Sequence, residues 1–257
     1  MEATVRHSFR DSFRSITPPA MLSLHRHWQL NRRAKQLNAL LGNRHDTASR
    51  CQILWQFREF RPFQKTAEII RLCELIEKTR PQRICEIGAA DGGTTCLFAQ
   101  VVAPDATLIS VDLSFSRSRQ SAVKRFARFG QKLFCLQADS HRAETLEKVQ
   151  RCLGGQQLDV LFIDGDHSYE GVSADFNLYS SLVRDGGIII LHDIVPDFRT
   201  CYGIQTSADV GGVPQFWKEV KTRYSRFEEI IEDKEQDGYG IGIIWKQGAV
   251  NDKIDRN

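Results

Sequence analysis

The sequence predicts an α/β protein with a mostly parallel sheet covered by helices on both faces. Two observations predict it. From residue 83 onward, apolar runs of strand length alternate with helix-length segments, the rhythm of parallel strands joined by crossover helices. After residue 193 that rhythm ends in two strands separated only by the polar turn "DKEQDGY", too short for a crossover, so this pair is expected to be antiparallel.

The elements follow in order. Residues 22–60 read as partly helical, with Trp28, Leu30, Leu37, Leu40 and Leu41 as core candidates. "TAEIIRLCELIEKT" (66–79) is an amphipathic helix stopped before Pro81. Five strands are expected at 83–87, 107–112, 132–137, 158–164 and 186–193, with helices at 94–102, 116–129, 142–152 and 168–183. The last helix shows its apolar stripe in Val172, Phe176, Tyr179 and Val183. A long loop (195–211) leads to a helix that opens at Pro214 and carries Phe216 and Trp217, both expected in the core. Strands at 227–232 and 240–246 close the sheet, giving seven strands with one reversed. Residues 1–20 and 247–257 read as frayed ends.

Composition narrows the class. Hydrophobic residues make up 41% and charged residues 26%, as in globular proteins. No apolar run reaches the length of a membrane span, and the N-terminus lacks the apolar stretch of a secretory signal. The seven cysteines are odd in number and form no CxxC pair, so a cytoplasmic location with free thiols is expected. Residues 1–50 carry a formal charge of +6 and the remainder −3. A basic arm alone is weak evidence for nucleic acid, and no aromatic–basic interleaving of the RNA-recognition kind accompanies it. A solvated extension or a contact in a homo-oligomer is the preferred reading.

The loop after the first strand, Gly88-Ala-Ala-Asp91-Gly92-Gly93, departs from the dinucleotide fingerprint G-x-G-x-x-G. Position 90 lacks the glycine that lets a pyrophosphate approach, and Asp91 adds a negative charge. Two like unit charges roughly 4 Å apart repel by about 4 kcal/mol at an effective dielectric of ~20, which disfavours a phosphate. A cationic nucleoside without phosphate suits the loop better, and S-adenosylmethionine is such a molecule. Glu86, Gly88, Asp91 and Gly92 would meet it at the first strand. Asp112 ends the second strand 20 residues after Gly92, where an acid reaches ribose hydroxyls. Asp139 and Ser140 end the third strand, where a carboxylate can accept from the adenine amine.

With these residues, segment 83–246 resembles class I S-adenosylmethionine-dependent methyltransferases. The resemblance implies a Rossmann-like seven-stranded sheet whose last strand is antiparallel. The N-terminal 60 residues lie outside it. Two parts are therefore expected: a helical extension (1–62), as wall of an acceptor pocket or as an oligomer contact, and a methyltransferase domain (63–257).

A second cluster follows from "FIDGDHSYEG" (162–171) and "LHDI" (191–194), which bring Asp164, Asp166, His167, His192 and Asp193 to one sheet edge. Adjacent strands lie about 4.8 Å apart, so carboxylates and imidazoles there can share a divalent cation. The cluster is similar to that of metal-assisted O-methyltransferases of small molecules and sugars, and of the cephalosporin-hydroxylase-type group. That resemblance implies a cation (Mg2+ or similar) on Asp164, His192 and Asp193, with Asp164 also beside the methyl donor. His192 stands where many relatives have an acid. The same resemblance implies Asp166 as general base, and His167 is its rival on grounds of pH. Ser168 or Asp166 alternatively caps the following helix.

The expected activity is methyl transfer to a hydroxyl of a small molecule, a sugar or natural product. The alternative is a metal-dependent hydrolase that uses the Asp164/Asp166/His167/His192/Asp193 cluster but leaves Glu86, Asp112 and Asp139 idle. A nicotinamide dehydrogenase is disfavoured by the loop spacing. Tyr202 and the 195–211 loop are candidates for a lid.

Overall fold

The computed structural model describes residues 19–44 and 46–247, and the expected frayed ends fall largely outside them. Two helices come first, α1 (Pro19–Gly42) and α2 (Thr47–Trp55), then a 3-10 turn (Arg58–Phe60) and α3 (Thr66–Thr79). The α/β region runs β1 (Arg83–Ile87), α4 (Gly93–Val101), β2 (Thr107–Asp112), α5 (Arg117–Val123), β3 (Lys132–Gln137), α6 (Ala143–Leu153), β4 (Leu158–Ile163), α7 (Tyr169–Tyr179) and β5 (Val183–His192). It closes with α8 (Phe198–Tyr202), α9 (Val213–Val220), β6 (Phe227–Ile230) and β7 (Ile241–Trp245).

The sheet order is β3-β2-β1-β4-β5-β7-β6. β1 to β5 pair in parallel, and β7 runs antiparallel to both β5 and β6, so one strand of seven is reversed, as the short final turn required. The chain order reverses between β1 and β4, and the adjacent strand ends Ile87 and Ile163 mark the switch point where α/β sheets take ligands.

Two apolar layers sandwich the sheet. One joins Ala34, Leu37, Leu41, Leu54 and Phe60 of the N-terminal segment to Phe98, Phe126 and Phe162. The other joins Val172, Phe176 and Tyr179 to Phe216 and Trp217, both of them core residues. Ala34, Leu37 and Leu41 form the buried stripe of α1, whereas Trp28 is 56% exposed and Leu40 40%, contrary to their expected burial. The reason is angular: at ~100° per residue, Trp28 lies on the face of α1 opposite Leu37. Val183 is buried but opens β5 instead of extending α7, which ends at Tyr179. The 195–211 loop contains the short helix α8, where Phe198 packs against Tyr202.

Among the described residues, all seven cysteines are free thiols, and no helix is long and apolar enough to cross a membrane.

Candidate active site

The glycine loop leaves β1 by backbone strain and close packing. Gly88 has φ +85, and a β-carbon there would lie 1.9 Å from the carbonyl oxygen of Asp164, so only glycine lets β1 and β4 end side by side. Ala90, where the dinucleotide fingerprint has its second glycine, also takes the left-handed backbone (φ 43). Its amide donates to the Asp112 carboxylate at 2.7 Å, which holds the loop in that conformation. Three of the four described non-glycine residues with positive φ, Ala90, Asp193 and Tyr239, border the site, where such strain concentrates.

A cavity of about 610 Å3 lies along the carboxyl ends of β1 to β4. Gly88, Ala90, Asp112, Asp139, Ser140, Asp164 and Asp166 line it, together with His141. Asp112 accepts from the backbone and hydroxyl of Ser114, each at 2.6 Å, and Asp139 accepts from the backbone of His141 at 3.0 Å. These bonds fix both carboxylates at the rim.

Three expected cofactor residues stand elsewhere. Glu86 is buried beneath the loop, where it accepts from the hydroxyls of Thr95 and Ser110. Burial raises its carboxyl to about 8, against the lowering effect of those hydroxyls, so it is a neutral acid at pH 7. Gly92 takes φ +80 and abuts Val123, and it shapes the loop without lining the cavity. Asp91 pairs with Arg119 at 2.7 Å and lines a neighbouring cavity. Its charge is compensated, so the repulsion argument against a phosphate does not hold in the folded protein.

The second cluster converges. His192 Nδ1 lies 3.0 Å from Asp164 Oδ1 and 3.2 Å from Asp193 Oδ2. His167 Nε2 lies 3.5 Å from the same two oxygens. Burial works against the Asp164 charge, but His192 and then His167 outweigh it and hold the carboxyl at about 2. The Asp164 hydrogen bond, aided by Asp193 and opposed by burial, raises His167 to about 9. Burial opposes the His192 charge too, but Asp164 and Asp193 more than offset it, and the imidazole stays protonated well above its ordinary range.

The donor set suits a divalent cation. One atom each from Asp164, His167 and Asp193 lies within 4.8 Å of the others. His192 Nδ1 is hydrogen-bonded to Asp164 and lies as close to Asp193, so these three side chains would be near enough to share one ion in place of that proton. His167 Nδ1 donates to the carbonyl of Asp209, and at its raised pKa Nε2 carries a proton as well, directed at the carboxylates of Asp164 and Asp193. Asp166 instead turns to the helix start: its Oδ1 accepts from Ser168 N at 2.8 Å, and that bond holds its carboxyl below the usual range. Ser168 is the helix cap, accepting from Gly171 N at 3.0 Å.

The N-terminal segment contributes residues that sequence patterning does not reveal. The side chain of Gln64 donates to Asp164 Oδ2 at 2.6 Å and accepts from Thr94 at 2.9 Å. Tyr239 packs edge-on against His192 at 6.1 Å, on a turn clamped by the buried Glu68, which accepts from Gly240 N and the Gln236 amide. Beside them opens a cavity of about 780 Å3, walled by Trp55, Arg58, Arg61, Phe63, Gln64, Lys65 and Tyr239.

Comparisons with known proteins agree with this architecture. The methyltransferase-domain family matches residues 85–194. The uncharacterized protein R132 of Acanthamoeba polyphaga mimivirus is 52% identical over 42 residues, 16% of this chain, and the chain spans 19% of that relative. The O-methyltransferase TomG of Streptomyces achromogenes, solved with SAM, is similar at a TM-score of 0.55 with 17% identity, over 80% of this chain and 92% of its own. An O-methyltransferase of Bacillus cereus, solved with SAH, gives 0.52 with 16% identity, over 86% of this chain and 100% of its own. MycE of the mycinamycin pathway, solved with Mg, SAH and mycinamycin VI, gives 0.50 with 15% identity, over 73% of this chain and 51% of its own. Residues 85–194 thus match a methyltransferase-domain family, and over 80% of its length the chain has the fold of the class I S-adenosylmethionine-dependent methyltransferases.

Proposed function

We propose that this protein transfers the methyl group of S-adenosylmethionine to a hydroxyl oxygen of a small molecule, with a divalent cation at the second cluster. One observation carries the reading: Asp164 lines the nucleoside cavity, while its carboxylate faces both imidazoles and Gln64 of the adjoining cavity. Donor and acceptor would therefore meet across a single side chain. That MycE was solved with Mg, SAH and a natural product supports the same reading.

In this account Asp112 receives the ribose hydroxyls and Asp139 the adenine edge. Asp164, Asp193 and His192 would hold the cation, which when bound would lower the pKa of an acceptor hydroxyl. Once Asp164 and Asp193 are turned to the cation, the influence that keeps Nε2 protonated would be gone, and His167 would take the hydroxyl proton there, its ring oriented by the Asp209 carbonyl. The oxygen attacks the methyl carbon in line with sulfur, the C–S bond breaks, and its electron pair stays on sulfur as S-adenosylhomocysteine. Asp166, bonded to the helix start and held at low pKa, is the weaker candidate for the base.

The test follows transfer of a labelled methyl group to a panel of hydroxylated sugars and phenols, with and without chelator, alongside Mn2+ titrations. His167→Ala should lower turnover by roughly 10²–10⁴-fold and keep Mn2+ binding. His192→Ala should weaken Mn2+ at least ~10-fold. Equal loss of Mn2+ binding in both variants would assign His167 to the cation instead.

A further inference from the structure

The 3-10 turn Arg58–Phe60 sets two cations on one side of the chain. Arg58 opens the turn, Arg61 is the extended residue that ends it, and both line the 780 Å3 cavity. Phe60 fixes the rotation of the turn: it is fully buried and packs edge-on against Phe126 at 5.0 Å. A β-carbon on Gly93 would lie 2.4 Å from the Phe60 carbonyl, so the turn is seated directly on the start of α4.

The acids of the cavity wall are already matched. Asp91 pairs with Arg119 at 2.7 Å and Glu232 with Lys65 at 3.3 Å. Among the described residues neither Arg58 nor Arg61 has a carboxylate partner, so the wall keeps two uncompensated guanidinium groups. They stand beside apolar rings: Arg61 lies over Trp55 at 6.0 Å, and Phe63 is 65% exposed. Gln64 lines the same cavity and reaches Asp164.

We propose that the acceptor is an anionic hydroxyl compound whose phosphate, sulfate or carboxylate group is held by Arg58 and Arg61, while its hydroxyl lies toward Asp164. The inference rests on the methyl-transfer reading for the role of the cavity. Its chemistry is that of the guanidinium fork, which binds planar or tetrahedral oxyanions through paired charge-assisted hydrogen bonds. The rings supply an apolar surface for the body of the molecule.

The test titrates inorganic phosphate, sulfate and benzoate separately into the full chain at constant ionic strength, with and without S-adenosylhomocysteine. Wild type and Arg58→Gln/Arg61→Gln are compared, with Arg58→Lys/Arg61→Lys as the charge-retaining control. At least one anion should saturate at millimolar concentration and bind at least ~10-fold more weakly to the glutamine variant, with partial recovery in the lysine variant. Whichever anion does so identifies the group. Absence of saturable binding for all three, or equal binding by the glutamine variant, would overturn the inference. S-adenosylhomocysteine reports separately: its failure to bind the wild type would contradict the methyl-transfer reading whatever the anions do.

Discussion

Gln64 and Asp164, 100 residues apart in the chain, meet at 2.6 Å. The same carboxylate lies 3.0 Å from His192 Nδ1 and 3.5 Å from His167 Nε2, so it joins the N-terminal segment, the end of β4 and the end of β5 at one point. It also borders the 610 Å3 cavity. On the proposed methyl-transfer reading, removing Gln64 acts on the alignment of donor and acceptor more than on the binding of either.

Gln64→Ala leaves Asp164 Oδ2 and the Thr94 hydroxyl without their partner. Lost buried hydrogen bonds of this kind cost about 1–3 kcal/mol. Turnover should fall at least ~10-fold while the Kd for S-adenosylmethionine changes less than ~3-fold, a split that calorimetry and initial rates together would read. An equal loss in both would mean that Gln64 supports the 610 Å3 cavity itself.

Asp112→Ala removes the acceptor for Ala90 N and for Ser114, and with it the anchor of the left-handed residue in the glycine loop. Donor affinity should fall at least ~100-fold, the cost of a lost ribose contact joined to a loosened loop. Circular dichroism should show the fold retained.

Glu86→Gln tests the buried acid. Its folded pKa is raised by burial from 4.5 to about 8, so above pH 4.5 the folded chain keeps a proton that the unfolded chain releases. Stability from this group is full below that pH and declines by roughly 1.4 kcal/mol per unit until about pH 8. Glutamine keeps acceptors for Thr95 and Ser110 and does not titrate. The variant should lose this slope in urea unfolding, and its advantage over wild type should grow from pH 5 to pH 8. Parallel pH profiles would contradict the assignment.

Gly88→Ala should destabilise by several kcal/mol, or abolish folding, because the added carbon meets the Asp164 backbone and φ is +85. Gly154→Ala, with φ +59 but open space around it, should cost only about 1 kcal/mol. Thermal unfolding of the pair separates steric from conformational cost.

The sheet was readable because its strands are apolar runs with turn residues between them, and Leu158–Ile163 is legible without any partner. The two carboxylate clusters were readable for a related reason: an acid at the end of a parallel strand is placed by the strand. Asp112, Asp139, Asp164 and Asp193 stand at sheet ends for that reason. Glu86 was misjudged because side chains alternate along a strand, and its register turns it under α4 to Thr95. Asp91 could not be read alone, since its charge is met by Arg119, 28 residues away. Gln64, Tyr239 and the Arg58–Arg61 pair were illegible because irregular segments meet the site through tertiary packing, which no local period records.

The most direct measurement is calorimetric titration of the wild-type chain with S-adenosylmethionine and, in parallel, with NAD. One-to-one binding of the sulfonium donor, lost in Asp112→Ala and absent for the dinucleotide, is the expected result. Saturable binding of NAD with none of S-adenosylmethionine would contradict the account at its root.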